Sequence, residues 1–231
     1  MKLTLFILAA LLVFWTGAAV AKETAPAKAT EKSTAAATNV VLAKTNVVVE
    51  LFDGHTLAGW KVIPFGNEGK VRVLSGGMLE IGAGEILTGL VYTNKTVTQN
   101  YEITLEARRT SGSDFFCGLT FPIGTNSCTL ILGGWGGSLT GISSIDHMDA
   151  SENSTSDSYK FEQNRWYQVC LRVTPEKIEA WIDKDRIVNL DIEEHHLGMR
   201  AGEIEYCMPL GLATYQTRAE IRKMHLRRLV E

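Results

Sequence analysis

Tyr101-Glu102-Ile103-Thr104-Leu105-Glu106-Ala107-Arg108 alternates apolar and polar residues without a break. Successive side chains of an extended chain point to opposite faces, so this stretch reads as a strand with one face in a core and one in water. The rhythm returns in Tyr167, Val169, Leu171 and Val173, set between Gln168, Cys170 and Arg172. Ile178, Ala180 and Ile182 repeat it, with Lys184-Asp185 as a turn and Ile187 to Leu190 as the next strand. Further strands are expected near residues 71–74, 78–81, 86–92, 115–121, 128–132, 204–212 and 218–229. Many short strands, frequent glycine turns and little helical periodicity point to an all-β sandwich rather than a layered α/β fold. A short helix near His195-His196 is the one helical candidate.

Two segments of different character precede these strands. Residues 1–21, MKLTLFILAALLVFWTGAAVA, combine an early charge at Lys2, an apolar run and a small-residue close at Ala19-Val20-Ala21. That is the pattern of a secretory signal peptide, with cleavage expected after Ala21. The run from Leu3 to Trp15 is shorter than the about 20 residues of a bilayer-spanning helix, and no second long apolar segment follows. The expected location is periplasmic or secreted, with no stable membrane span after signal cleavage. Residues 22–46 are rich in Ala, Thr, Lys, Glu and Ser and read as a flexible linker. The folded domain is expected over 47–231, so that 210 of the 231 residues remain in the mature chain.

The formal charge of −3 becomes −4 once Lys2 leaves, which gives no general attraction to nucleic acid. The most basic stretch, Arg218, Arg222, Lys223, Arg227 and Arg228, alternates with Ile221, Met224, Leu226 and Leu229 and reads as a strand with a wet outer face. Cys117, Cys128, Cys170 and Cys207 permit two disulfides in an oxidising compartment, or four buried thiols. Cys117 and Cys128 flank a hairpin turn and are the first pair expected if any bridge forms. Their spacing lacks the close cysteine pairs of a structural zinc site.

Two regions break the strand rhythm. Gly133-Gly134-Trp135-Gly136-Gly137 gives the backbone unusual torsional freedom around one tryptophan. It is not a G-x-G-x-x-G dinucleotide fingerprint. The polar segment from Ser143 to Tyr159, SSIDHMDASENSTSDSY, is long enough to be functional. Together they form the strongest candidate site.

A resemblance adds to this reading. Leu51-Phe52-Asp53-Gly54-His55-Thr56-Leu57-Ala58-Gly59-Trp60 resembles the opening of the 3-keto-disaccharide hydrolase domain family. Gly77 to Ile81, Tyr101 to Glu106 followed by Ser111-Gly112-Ser113, Asn164 to Tyr167, Glu179 to Asp183 and Ile221 to Leu226 continue it over roughly residues 49–230. The resemblance implies a concanavalin-like jelly-roll sandwich of two antiparallel sheets. It also implies extracytoplasmic cleavage of glycosides oxidised at carbon 3, through base-assisted elimination and hydration. The chain departs from the family where relatives carry an acidic strand and turn, since it has Thr129-Leu130-Ile131-Leu132-Gly133-Gly134-Trp135 there.

Asp146, His147, Asp149 and Glu152 form the densest ionisable cluster. His147 is a candidate base, with Asp146, Asp149 and Glu205 as candidate acids or acceptors. Trp135 suits the apolar face of a sugar, with Asp114, Glu152 and Tyr215 as further candidate contacts. The carboxylates with Asn153 and Asp157 would suit a hard ion such as Ca2+, although no EF-hand spacing is present. Trp60 and Trp166 are expected in the core. Asn94 and Asn153 begin glycosylation patterns. The expected partner is an oligosaccharide or oxidised glycoside, and the expected activity is either hydrolytic or a noncatalytic glycan-binding or cell-envelope role.

Overall fold

The computed structural model describes residues 47–230; the leader and the linker over 22–46 lie outside the described residues. The first strands are β1 (Val48–Glu50), β2 (Trp60–Val62), β3 (Val71–Leu74), β4 (Met78–Ile81), β5 (Leu87–Tyr92) and β6 (Tyr101–Ser111). Next come β7 (Cys117–Ile123), β8 (Asn126–Gly134), β9 (Leu139–Ser143), β10 (Asp157–Ser158) and β11 (Tyr167–Val173). The chain ends with β12 (Lys177–Ile182), β13 (Asp185–Asp191), a short 3-10 helix (Glu203–Cys207), β14 (Gly211–Tyr215) and β15 (Arg218–Arg228). They form an eight-stranded sheet in the order β13-β12-β11-β6-β15-β4-β3, with β1 beside β15. A seven-stranded sheet has the order β10-β9-β8-β7-β14-β5-β2. Every strand pairing within them is antiparallel. This is the expected jelly-roll sandwich.

The alternation in β6 and β11 is realised directly. Tyr101, Ile103, Leu105, Tyr167, Val169 and Leu171 are buried and meet Leu119, Phe121, Leu130, Leu132 and Leu212 from the other sheet. Each such side chain is worth roughly 1.5–3 kcal/mol of burial, which makes this layer the dominant stabilising term.

The outer face of the eight-stranded sheet is a ladder of ion pairs. Glu102 binds Arg172 and Arg227, Glu106 binds Arg222 and Lys223, and Glu220 binds Arg108. One extra residue between Arg222 and His225 bulges β15, with Lys223 at φ 52°. The bulge turns Arg222 and Lys223 outward together and sends Met224 into the core. Arg222, Lys223 and Arg227 of the basic end are thus paired within their own sheet.

Four expectations are corrected. All four cysteines are free. Cys117 stands opposite Leu132 and Cys128 opposite Phe121, so the two lie four ladder positions apart, roughly 13 Å along the strands and beyond disulfide reach. Burial pushes both thiols up to about 12. No strand starts at residue 204: residues 203–207 form the 3-10 helix, and Pro209 separates it from β14. No helix forms at His195-His196, where the chain is a turn entering a bridge. Trp60 is buried as expected, but Trp166 is half-buried on the outer face, with the guanidinium carbons of Arg108 and Arg222 4.5 and 4.1 Å from its ring.

Burial alone would raise the Glu102 carboxyl, but hydrogen bonds from Arg172 and Arg227 outweigh it and hold the group below its ordinary range. Glu106 is lowered in the same way by Lys223 and Arg222 against its own burial. A depressed carboxyl contributes stability above its unfolded pKa, and that contribution is lost as pH falls through the folded value. Urea midpoints are therefore expected to fall as pH drops from about 5 toward 3. Glu102→Gln should cost about 2 kcal/mol at pH 7 and flatten this dependence.

Candidate functional site

Alternation also assigns the faces of the seven-stranded sheet. Leu130 and Leu132 join the main core, whereas Ile131 joins a smaller apolar cluster with Leu87, Phe115 and Ala213. This second cluster covers the sheet's outer face, and Ala150 and Cys207 close over it from the segments after β9 and before β14. Beside it lies a cavity of about 190 Å³. Its apolar wall includes Leu87, Phe115, Ile131 and Ile204; Thr129, Ser143, Asp149, Arg200 and Glu203 supply polar groups. Trp135 and Tyr215 stand along it, with the Tyr215 ring 6.0 Å from that of Phe115.

Asp149 is the most tightly held of these groups. Its Oδ1 accepts hydrogen bonds from the Ser143 hydroxyl and the Ala150 amide, and its Oδ2 lies 2.7 Å from Arg200 Nη1. The Arg200 side chain is 62 % exposed, so the pair is worth at most about 1 kcal/mol of stability. The cation therefore does little for the fold, and its side chain stays largely exposed at the cavity wall.

The glycine-rich turn sets Trp135 at the rim, 45 % exposed and at φ 47°. Arg109, on β6, reaches it from below. The residue is 8 % exposed, and its guanidinium donates to the carbonyls of Gly137 and Phe161 and to the Gln163 amide oxygen. Among the described residues no carboxylate forms an ion pair with it, and its desolvation lowers the Arg109 pKa. Asp114 turns back under the same turn, accepting from the Gly136 and Phe115 amides. It supports Trp135 instead of projecting into the cavity.

The other candidates lie elsewhere. Asp146 Oδ2 is 2.7 Å from His195 Nδ1, and Asp146 Oδ1 accepts from the His196 amide. These two hydrogen bonds hold the Asp146 carboxyl below the usual range. His147 is exposed and stacks on His196 at 4.4 Å between ring centroids. Neither Asp146 nor His147 lines the cavity. Glu152 faces solvent, and Glu205 borders a separate shallow groove with Met199 and Pro209. Asn153 is buried, its amide donating to the carbonyls of Ile142 and Asp149, so the folded chain presents no glycosylation site there.

The acidic cluster does not fit a hard cation. The oxygens of Asp146 and Asp149 are engaged by His195, His196, Ser143, Ala150 and Arg200, and Asn153 Oδ1 accepts from Thr155. Among the described residues no group of three or more His, Cys, Asp or Glu side chains is arranged for a metal.

Arg200, Glu203, Ser143 and Phe115 were not singled out from the sequence. Arg200 lies in Gly198-Met199-Arg200-Ala201-Gly202, a charge in a glycine-flanked stretch without periodicity, and that was the available signal.

The architecture is that of a two-sheet jelly-roll β-sandwich. It is similar in fold to a protein of Parabacteroides distasonis provisionally designated a glycosyl hydrolase, with a TM-score of 0.52 at 13% identity, covering 79% of this chain and 94% of that one. It is likewise similar to a Crh5 transglycosylase, with a TM-score of 0.53 at 9% identity, covering 82% of this chain and 86% of the other. No curated protein matches the chain in sequence. Residues 48–227 match the model of the 3-keto-alpha-glucoside-1,2-lyase-like domain, and the chain belongs to that family. Its class is accordingly a glycosyl hydrolase-like or carbohydrate-binding domain.

Gly137 has φ 112°, and a Cβ there would fall 2.9 Å from both Arg109 Nη1 and the Ser113 carbonyl. Gly137→Ala should cost roughly 1–3 kcal/mol and displace Trp135. Thermal melts should show the loss, and tryptophan emission should report the changed environment in protein that remains folded.

Proposed function

We propose that the protein is an exported enzyme, periplasmic or secreted, that cleaves 3-keto-glycosides by elimination and hydration in the cavity beside Trp135. The observation that supports this reading is the contact between the Asp149 carboxylate and the Arg200 guanidinium on the cavity wall, 2.7 Å apart. In a 3-keto sugar the acidic hydrogen on C2 and the oxygen on C3 belong to adjacent carbons. A base and a cationic donor in contact can address both at once.

Asp149 takes the C2 proton, and the electron pair moves onto O3, where Arg200 stabilises the enolate. The enolate collapses, the C1–O bond breaks and the leaving alcohol is protonated by Glu203. The remaining enone adds water, with hydroxide to C1 and a proton to C2. Glycoside and water thereby give a 3-keto sugar and an alcohol. Trp135 and Tyr215 provide flat surfaces for the C–H face of the ring. Family membership supports sugar chemistry of this type.

One observation favours a second reading, a noncatalytic glycan-binding module. Asp149 already has three hydrogen-bonding partners, so its oxygens are occupied before any substrate arrives. Incubation of the purified chain with ordinary and 3-keto disaccharides separates the two. Release of product only from the 3-keto form is expected, with kcat lowered about 10²–10⁴-fold in Asp149→Asn and Arg200→Met. Binding of both sugars without turnover in the native chain would establish the module instead.

A further inference from the structure

The cavity continues past Glu203. A second hollow of about 100 Å³ is lined by Phe65, Asn67, Glu85, Ile86, Leu87 and Glu203, and the last three also line the first cavity. The two spaces form one trough divided at Glu203, with Trp135 and Tyr215 along one part and Phe65 in the other.

The second hollow is built by hydrogen bonds between two loops. Asn67 Nδ2 donates to Glu85 Oε2 at 2.6 Å, and the Glu85 amide donates to the Asn67 carbonyl at 2.9 Å. The Gln216 side chain holds the Glu85 carbonyl at 2.7 Å. The Phe65 ring lies 6.3 Å from that of Tyr206 on the 3-10 helix. Among the described residues Asn67 Oδ1, Glu85 Oε1 and the Glu203 carboxylate carry no further hydrogen bond. The pair therefore offers an amide donor and two acceptors beside an aromatic ring, a set suited to the adjacent hydroxyls and C–H face of a pyranose.

We infer that Phe65, Asn67 and Glu85 form a second sugar subsite, which holds the ring released when the glycosidic bond breaks. This inference rests on the proposed reaction in the first cavity and adds its selectivity: a glycoside with a sugar leaving group is preferred over one with a small alcohol. Glu203, at the divide, stands where the bridging oxygen would lie.

The test uses the full chain and its Phe65→Ala and Asn67→Ala variants with a 3-keto-disaccharide and a methyl 3-keto-glucoside. Removing one hydrogen bond or one stacking ring should raise KM for the disaccharide roughly tenfold and leave kcat/KM for the methyl glycoside within about twofold. Equal changes for both substrates, or none for either, would overturn the subsite while leaving the reaction standing. Tryptophan-emission titration with an unoxidised disaccharide and a monosaccharide provides an arm independent of turnover. If nothing is turned over but the native chain binds the disaccharide more tightly and Asn67→Ala removes the difference, the subsite stands and the reaction fails. Equal affinity for both sugars would count against the subsite.

Discussion

The seven-stranded sheet has little surface to give to water, and the site follows from that constraint. Every residue of β7 is buried, as is every residue of β8 after Asn126. A sheet whose two faces are both apolar must cover the second by folding chain back over it. The segments after β9 and before β14 do this with Ala150 and Cys207, but they bring too little apolar volume to cover the whole face. The uncovered remainder is the trough. The cleft is therefore a consequence of incomplete coverage of a hydrophobic face, which is why its floor is largely apolar and its charged groups come from the segments folded over it.

The two outer faces show opposite electrostatic solutions. On the eight-stranded sheet, Glu102 and Glu106 each meet two cations and Glu220 meets Arg108, so the charges answer one another. In the trough, Arg200 spends one contact on Asp149 and stays largely in solvent, and among the described residues Glu203 has no ion-pair partner. Arg109 inverts the usual rule again: a buried cation satisfied by carbonyl and amide oxygens. Burying a charge without a counter-ion is costly unless its donors are used. Here the cost is accepted at the turn that presents Trp135.

The fold was legible where chemistry is local. β6, β11 and β12 bury alternate residues, and a period of two survives in sequence. The segment before β14 misled because Ile204, Tyr206 and Met208 imitate that period over a stretch whose hydrogen bonds are those of a 3-10 helix. Within the site, Trp135, Asp149 and Tyr215 were visible as unusual residues in irregular or late segments. Arg200 and Glu203 were not, because their relation to Asp149 depends on two loops meeting over a sheet. The density of Asp146 and His147 pointed away from the cavity for a related reason. Asp146 is occupied by His195 and His196, which the sequence places far from it.

The proposed reaction depends on how the contacts of Asp149 change as a ligand arrives. In the free protein its oxygens are occupied by Ser143, Ala150 and Arg200. Catalysis requires interactions that strengthen in the transition state, and a permanently saturated carboxylate gains nothing there. Arg200 resolves the difficulty, because it is the exposed member of the set and the least tied to the fold. A ketone oxygen that draws Arg200 away removes one stabilising partner from Asp149 and supplies the developing enolate with a cation. One movement of a single guanidinium would free a carboxylate oxygen for the C2 proton and stabilise the charge that its transfer creates. An unoxidised sugar has no carbonyl at carbon 3 to draw it, so it would leave the ion pair closed and the carboxylate inert.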